Sequence, residues 1–206
     1  MMTDWAAIIG AIMGTISTIV VAWFAYNQST KDKMTDIKIE KIKNEDKIRN
    51  KRRSDNAMLV YCSLWELLYA IKADRVYIVQ PHPLGNEEML TIYFEVKRRW
   101  AEPMKPNIQN MKISEVAKFA GDLAKNSFLY ISDIDEQVSD RYAQAIFSSL
   151  GTAGAIAGRL SDNKHDFVGS IICEFTDPIS ISKEEAEELL HKAATEIQYI
   201  LPEIRD

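Results

Sequence analysis

Trp5 to Tyr26 is a run of 22 residues without a single charge, WAAIIGAIMGTISTIVVAWFAY. As a helix it would measure about 33 Å, enough to cross a hydrocarbon core of roughly 30 Å. Trp5 stands at one end and Trp23 and Tyr26 at the other, where interfacial aromatics are expected. A signal peptide would instead need a basic leader, a shorter apolar stretch and a small-residue cleavage site. The residues ahead of the run, Met1-Met2-Thr3-Asp4, hold no Lys or Arg. A buried core helix of this length would normally carry some charge. The reading is therefore a single transmembrane helix within residues 1–30.

Small residues recur every fourth position through this run, at Ala6, Gly10, Gly14, Thr18 and Ala22. They share one helix face and form a shallow groove, so self-association in the lipid bilayer and a homo-oligomer are expected. Residues 31–53, KDKMTDIKIEKIKNEDKIRNKRR, hold ten Lys or Arg against five Asp or Glu, a net of +5. With no Pro or Gly they read as a helical linker, although Met34, Ile37, Ile42 and Ile48 do not keep an unbroken heptad. Lys31, Lys33, Lys51, Arg52 and Arg53 are candidate contacts to anionic lipid headgroups; the alternative is a solvated linker whose charge only sets topology. With basic residues on the C-terminal side alone, the positive-inside rule predicts a single-pass protein of the inner (cytoplasmic) membrane with everything after Tyr26 in the cytoplasm.

Residues 54–206 have the size of one domain. Over the whole chain 47% of residues are hydrophobic, 27% are charged and the net charge is −5, which excludes a disordered chain and gives no footprint of nucleic-acid binding. The two cysteines, Cys62 and Cys173, make neither a disulfide framework nor a zinc motif. Apolar periodicity and punctuation predict helices over 54–72, 114–125, 138–150 and 182–201, and strands over 75–79, 89–96, 128–131, 152–160 and 167–175. Pro81 to Asn86 reads as a turn, and Ser161 to Asp166 as a hairpin turn. Strands joined by turns imply an antiparallel sheet, with the first and last helices on one face.

No catalytic constellation emerges. His82, His165 and His191 lie too far apart in sequence for a local metal site and read as surface residues. Gly151, Gly154 and Gly158 sit between a helix and a strand, the wrong order for a dinucleotide fingerprint, and read as points of close backbone approach or of strand twist. Lys97-Arg98-Arg99-Trp100 is a basic loop open to anions, lipid or a partner, or simply solvated. Neither enzymatic activity nor a bound cofactor or metal is expected.

Ala73-Asp74-Arg75-Val76-Tyr77-Ile78, Phe128-Leu129-Tyr130-Ile131-Ser132-Asp133, and Gly151-Thr152-Ala153-Gly154-Ala155-Ile156 ahead of Phe167-Val168-Gly169-Ser170-Ile171-Ile172 occupy matching places in a known order of elements. Through them residues 55–201 resemble the GAF domain, a sensing relative of the PAS fold. The resemblance implies an α+β fold, an antiparallel sheet flanked by helices, that binds a small-molecule ligand or a regulatory protein. It makes Tyr77 and Tyr93 candidates to line a pocket, or else core or cross-strand residues. Where relatives often carry His-Asn-Gly, this chain has His82-Pro83-Leu84-Gly85. The whole-chain layout also resembles the holins of T-even phages, which implies an oligomeric lysis protein controlled through its soluble domain. Those holins place that domain in the periplasm, opposite to the charge-based topology. The expected function is a non-enzymatic membrane protein whose self-associating helix is controlled by a GAF-like domain, with holin-like lysis as the specific form. The alternative is a membrane-tethered cytoplasmic sensor or adaptor without pore activity.

Overall fold

The computed structural model describes Gln28 and residues 56–162 and 164–201. The chain divides into two units, 1–51 and 52–206, and the sheet and its helices belong to the second. Among the described residues no helix is long and apolar enough to cross a membrane. The Trp5–Tyr26 run, its small-residue stripe and the lipid-contact candidates Lys31, Lys33, Lys51, Arg52 and Arg53 lie outside them.

The domain starts with α1, helical over residues 56–70. It continues with β1 (Arg75–Leu84), β2 (Glu87–Lys97), the short β3 (Met111–Lys112), a 3-10 turn (Ile113–Val116) and α2 (Ala117–Lys125). Then come β4 (Phe128–Ile131), α3 (Ile134–Gln137), α4 (Arg141–Ser149), β5 (Gly154–Ser161), β6 (Phe167–Phe175) and α5 (Lys183–Gln198). The strands form one sheet in the order β3-β2-β1-β6-β5-β4, and every neighbouring pair is antiparallel.

Alternation along the strands gives the sheet two apolar faces. Val76, Ile78, Phe94, Ile156, Ile171 and Cys173 face outward to α1 and α5, where they meet Leu64, Leu68, Leu190 and Ile197. Tyr77, Val79, Ile92, Ala155, Ala157 and Ile172 face inward to α2, α3 and α4, against Leu123, Ile134, Ala143 and Phe147. The first and last helices thus share one face, as their order implied. Helix starts carry their expected chemistry: Ser182 caps α5 by accepting from the Glu185 amide, and Asp140 caps α4. Gly151, at φ 68°, follows the end of α4 in the left-handed conformation that terminates helices.

Four details differ from the sequence expectation. Pro81 and Pro83 do not end β1, which runs on to Leu84. β6 pairs with β1 only as far as Val79, whereas β2 stays paired to Leu84. Two prolines two residues apart present the same strand edge, and among the described residues that edge has no strand to miss their N–H groups. The connection shrinks to Gly85-Asn86, with Gly85 at φ 64°. His82 is therefore a buried strand residue, not a surface one. β3 and α3, at two and four residues, are too short to carry a period.

Candidate functional site

The first strand residue after α1 is Arg75, and it is fully buried with its charge. Inward alternation from Tyr77 and Val79 places its side chain in the inner layer. A buried guanidinium must be paired and hydrogen-bonded. Arg75 Nη2 lies 2.7 Å from Glu174 Oε2 and donates to Thr152 Oγ1 at 2.5 Å, while Nε donates to Glu174 Oε2 at 3.0 Å. Nη1 donates to the Glu102 carbonyl at 3.1 Å, and both terminal nitrogens reach the Leu150 carbonyl at 3.4 Å. Glu174 accepts two further bonds, from Thr152 Oγ1 at 2.6 Å and from the Tyr77 hydroxyl at 2.5 Å.

The cross-strand pair Arg75–Glu174 and the diagonal neighbour Tyr77 bring these groups together in the β1–β6 register. Burial pushes the Glu174 carboxyl above the ordinary carboxylate range, and the Arg75 charge and the Thr152, Tyr77 and Arg75 hydrogen bonds pull it back only in part. Burial, and then the Glu174 charge, raise the Tyr77 hydroxyl well above its ordinary value, so it stays a donor. The partners come from four parts of the fold: β1, β6, the α4–β5 connection and the segment after β2. The network is a bolt through the inner layer.

Its other end reaches α1. Between α1 and Arg75 the chain turns through Lys72 at φ 60°, and the Ala73 amide donates to the Leu68 carbonyl. Asp74 accepts from the Thr176 amide and hydroxyl, each at 2.8 Å, and from the Trp100 indole at 3.0 Å. Partial burial opposes its ionisation, but the bonds from Thr176 and Trp100 outweigh it and hold the carboxyl below its ordinary value. Arg98 Nε donates to the Ala73 carbonyl, and its guanidinium lies 4.4 Å from the centre of the Tyr69 ring. The basic loop Lys97 to Trp100 is thus built into the α1–β1 corner rather than free: Lys97 also donates to the Ala101 carbonyl.

Tyr77 and Tyr93 do not share a pocket, which corrects that pairing. The register of β1 against β2 shifts between Ile78–Phe94 and Val79–Ile92, leaving Tyr93 as the extra residue of a bulge. Tyr93 packs against the outer core and edge-on to His82, whereas Tyr77 lies in the inner layer. His82 is fixed by Thr91, 2.9 Å from its Nε2. His165 occupies the β5–β6 turn and His191 an exposed place on α5. Among the described residues no group of three or more His, Cys, Asp or Glu could hold a metal ion. Asp162 accepts from the Lys164 and Asp166 amides, so it is a turn residue. Cys62 is exposed and Cys173 buried, both as free thiols. Sequence patterns alone pick out neither Thr152 nor Glu174, and they read Arg75 only as a strand residue. The available signal was a charge of opposite sign in each of two strands that are otherwise apolar, RVYIV and IICEF.

No protein-family model matches the sequence, and no curated protein is similar to it at a significant level. Solved structures are similar in shape. A far-red cyanobacteriochrome photoreceptor superposes with a TM-score of 0.58 at 13% identity, over 80% of this chain and 95% of that one. The third GAF domain of a Synechocystis sp. PCC6803 protein, in its photoproduct state, gives 0.57 at 13% identity over 69% and 90%. The fold is that of GAF domains. A domain ascribed to a two-component sensor histidine kinase of Sinorhizobium meliloti gives 0.51 at 13% identity, over 67% and 85%. On the GAF fold of this chain, the Arg75 bolt joins the sheet to the end of α4.

Proposed function

We propose that the chain is a membrane-tethered signalling adaptor or sensor without pore activity, its GAF-fold domain cytoplasmic and passing conformational change between the inner layer and α1. The observation that carries this reading is the Arg75 network. It ties the end of α4, at Leu150 and Thr152, to the first residue of the strand that α1 feeds. A displacement of α4 therefore bears directly on the corner where α1 ends, and α1 is the element that follows the connector and the proposed span. The sensor-kinase domain and photoreceptor domains of the same fold support a signalling role. Nothing in the fold favours the holin-like form over this one.

Some structures of this fold are bilin-bound, as in the phycoerythrobilin-bound GAF domain of a cyanobacterial phytochrome. The inner layer of this chain does not fit such a group. Tyr77, Ile92, Met104, Leu123, Ile134 and Phe147 close it, and the cavity between Phe119, Leu129, Val138 and Asp140 is about 90 Å³. Sites for drug-sized ligands run to about 300–1,000 Å³.

Two measurements test the reading. In Thr152→Val, amide hydrogen exchange is expected to rise together at 147–153, at 71–76 and in the last turn of α1. A rise confined to 147–153 means that the bolt does not transmit. Induction in bacteria is expected to leave the membrane potential intact, and its collapse with release of a co-expressed endolysin would reinstate the holin form.

A further inference from the structure

We propose that the free edge of β4 is a docking site for an extended basic segment of a partner protein, which adds to the sheet as a further strand. β4 ends the sheet order, and among the described residues no strand pairs with its outer edge. The register shows which groups that edge offers. The Arg159 amide donates to the Ser127 carbonyl and Phe128 pairs with Gly158, so Ser127, Leu129 and Ile131 turn their backbone groups to β5. Phe128 and Tyr130 turn their N–H and C=O groups the other way. Ser132 continues that parity, and its amide is closed by the Gln137 side chain at 2.8 Å. Other stretches of edge are closed as well. Beyond β3, the Ile92 amide donates to the Ile108 carbonyl, Gln109 donates to the Ile92 carbonyl and Lys105 to the Tyr93 carbonyl, each at 3.0 Å. Where β1 outruns β6, Pro81 and Pro83 stand on the edge. The half-buried Phe128–Ile131 carries no Pro, no charge and no bulge, the devices that keep an edge from pairing.

An added strand sets its side chains alternately on the two faces of the sheet, and beside β4 each face has a cavity to receive them. On the inner face Leu129 and Ile131 line a cavity of about 90 Å³ together with Asp122 and Asp140. On the outer face Phe128, Leu190 and Ala194 line a cleft of about 290 Å³, whose charged residues, Arg159 and Glu187, are of opposite sign. The inner cavity has carboxylates alone, and neither is ion-paired among the described residues. A lysine or arginine pointing inward lays its methylene stem over Leu129 and Ile131 and brings its charge to Asp122 and Asp140. Neutral apolar side chains suit the outer cleft. The wider surroundings agree in sign, since residues 122–141 hold five carboxylates against Lys125 and Arg141. The same excess disfavours a second copy, because β4 set against β4 brings two like-charged surfaces together. The open backbone groups thus hold an extended chain, and the two cavities select its side chains.

The test uses the purified full chain in neutral detergent and a fluorescent hexapeptide of alternating Lys and Val. Saturable binding is expected, and the matching Glu-Val peptide should bind weaker by about tenfold or more. N-methylation of every second peptide amide separates strand addition from plain charge attraction, because one alternate set faces β4 and the other faces solvent. One methylated set is expected to abolish binding and the other to leave it unchanged. Asp122→Lys is expected to weaken binding by about tenfold or more without lowering the melting temperature. That side chain is exposed, and its backbone carbonyl, which accepts from Asn126, is untouched by the change. No saturable binding at about 1 mM peptide overturns the proposal. Equal loss from both methylated sets, or from neither, overturns strand addition. Equal binding of the Glu-Val peptide overturns the basic occupant, and an unchanged affinity in Asp122→Lys overturns the inward cation. Self-association of the chain that excess peptide reverses would assign the edge to a second copy and overturn the partner.

Discussion

Arg75 shows how a single residue can be indispensable without being reactive. Its charge is stabilised by Glu174, Thr152 and two carbonyls, and among the described residues none of these is paired with a second cation. Removing one member of a buried pair strands the other in a low dielectric, at a cost of about 3–5 kcal/mol. Glu174→Ala is therefore expected to destabilise residues 54–206 by that amount in urea unfolding. The double change Arg75→Met with Glu174→Leu should recover most of the loss, because no charge is left behind. A double variant no more stable than Glu174→Ala would show that the cost lay in lost packing and in the unpaired Tyr77 and Thr152 hydroxyls rather than in the stranded charge. Asp74 gives the pH-dependent counterpart. Its folded carboxyl lies below the ordinary value, held there by Thr176 and Trp100. It contributes stability above the unfolded carboxylate value and loses it as pH falls through its lowered folded value. The stability gap between the native domain and Asp74→Asn should be full at neutral pH and close in acid. A gap that stays constant with pH would contradict this sign.

At the scale of elements, the glycines separate packing from propensity. A Cβ on Gly154 would lie 2.9 Å from the Ile131 carbonyl oxygen and 3.0 Å from Ile179, and one on Gly158 2.8 Å from Leu190. These are the close approaches that let β4 and α5 press onto β5. Gly121, inside α2, has nothing within 4 Å. Gly154→Ala is expected to destabilise by about 1–3 kcal/mol through forced displacement of backbone. Gly121→Ala should stabilise by about 0.5–1 kcal/mol through helix propensity. Thermal melts of the two variants moving in the same direction would reject this assignment. Gly154 and Gly158 were legible as close approach because they stand where a strand follows a helix without a phosphate-loop order, whereas Gly151, with nothing within 4 Å of an added Cβ, serves the left-handed end of α4 instead. Long elements were legible for the same reason: β6 and α5 carry enough residues for a period to show. Pro81 and Pro83 misled because a proline reports which strand edge lacks a partner, and edges belong to the sheet rather than to the segment. The bulge at Tyr93 was invisible because alternation, continued without it, sets Tyr93 on the face of Tyr77. The bolt was missed because its members, Arg75, Thr152 and Glu174, are distant in sequence and meet only in the β1–β6 register.

For the molecule as a whole, the net charge of −5 is a sum of unlike parts. Residues 1–30 carry −1, residues 31–53 carry +5, and residues 54–206 carry −9. A basic collar beside an anionic leaflet gains about 1 kcal/mol per cation near the surface, whereas an acidic domain is repelled from it. Under the proposed tether the same partition predicts sidedness, since the cations are concentrated in residues 31–53, just after the uncharged run. The two cysteines make this measurable without a substitution, because Cys62 is exposed and Cys173 buried. A membrane-impermeant maleimide should leave Cys62 unlabelled in intact bacterial spheroplasts and label it once they are permeabilised. Labelling in intact spheroplasts would place the domain outside. The holin topology would then describe the chain better than the charge rule, and the adaptor reading, which needs the domain in the cytoplasm, would fall with it.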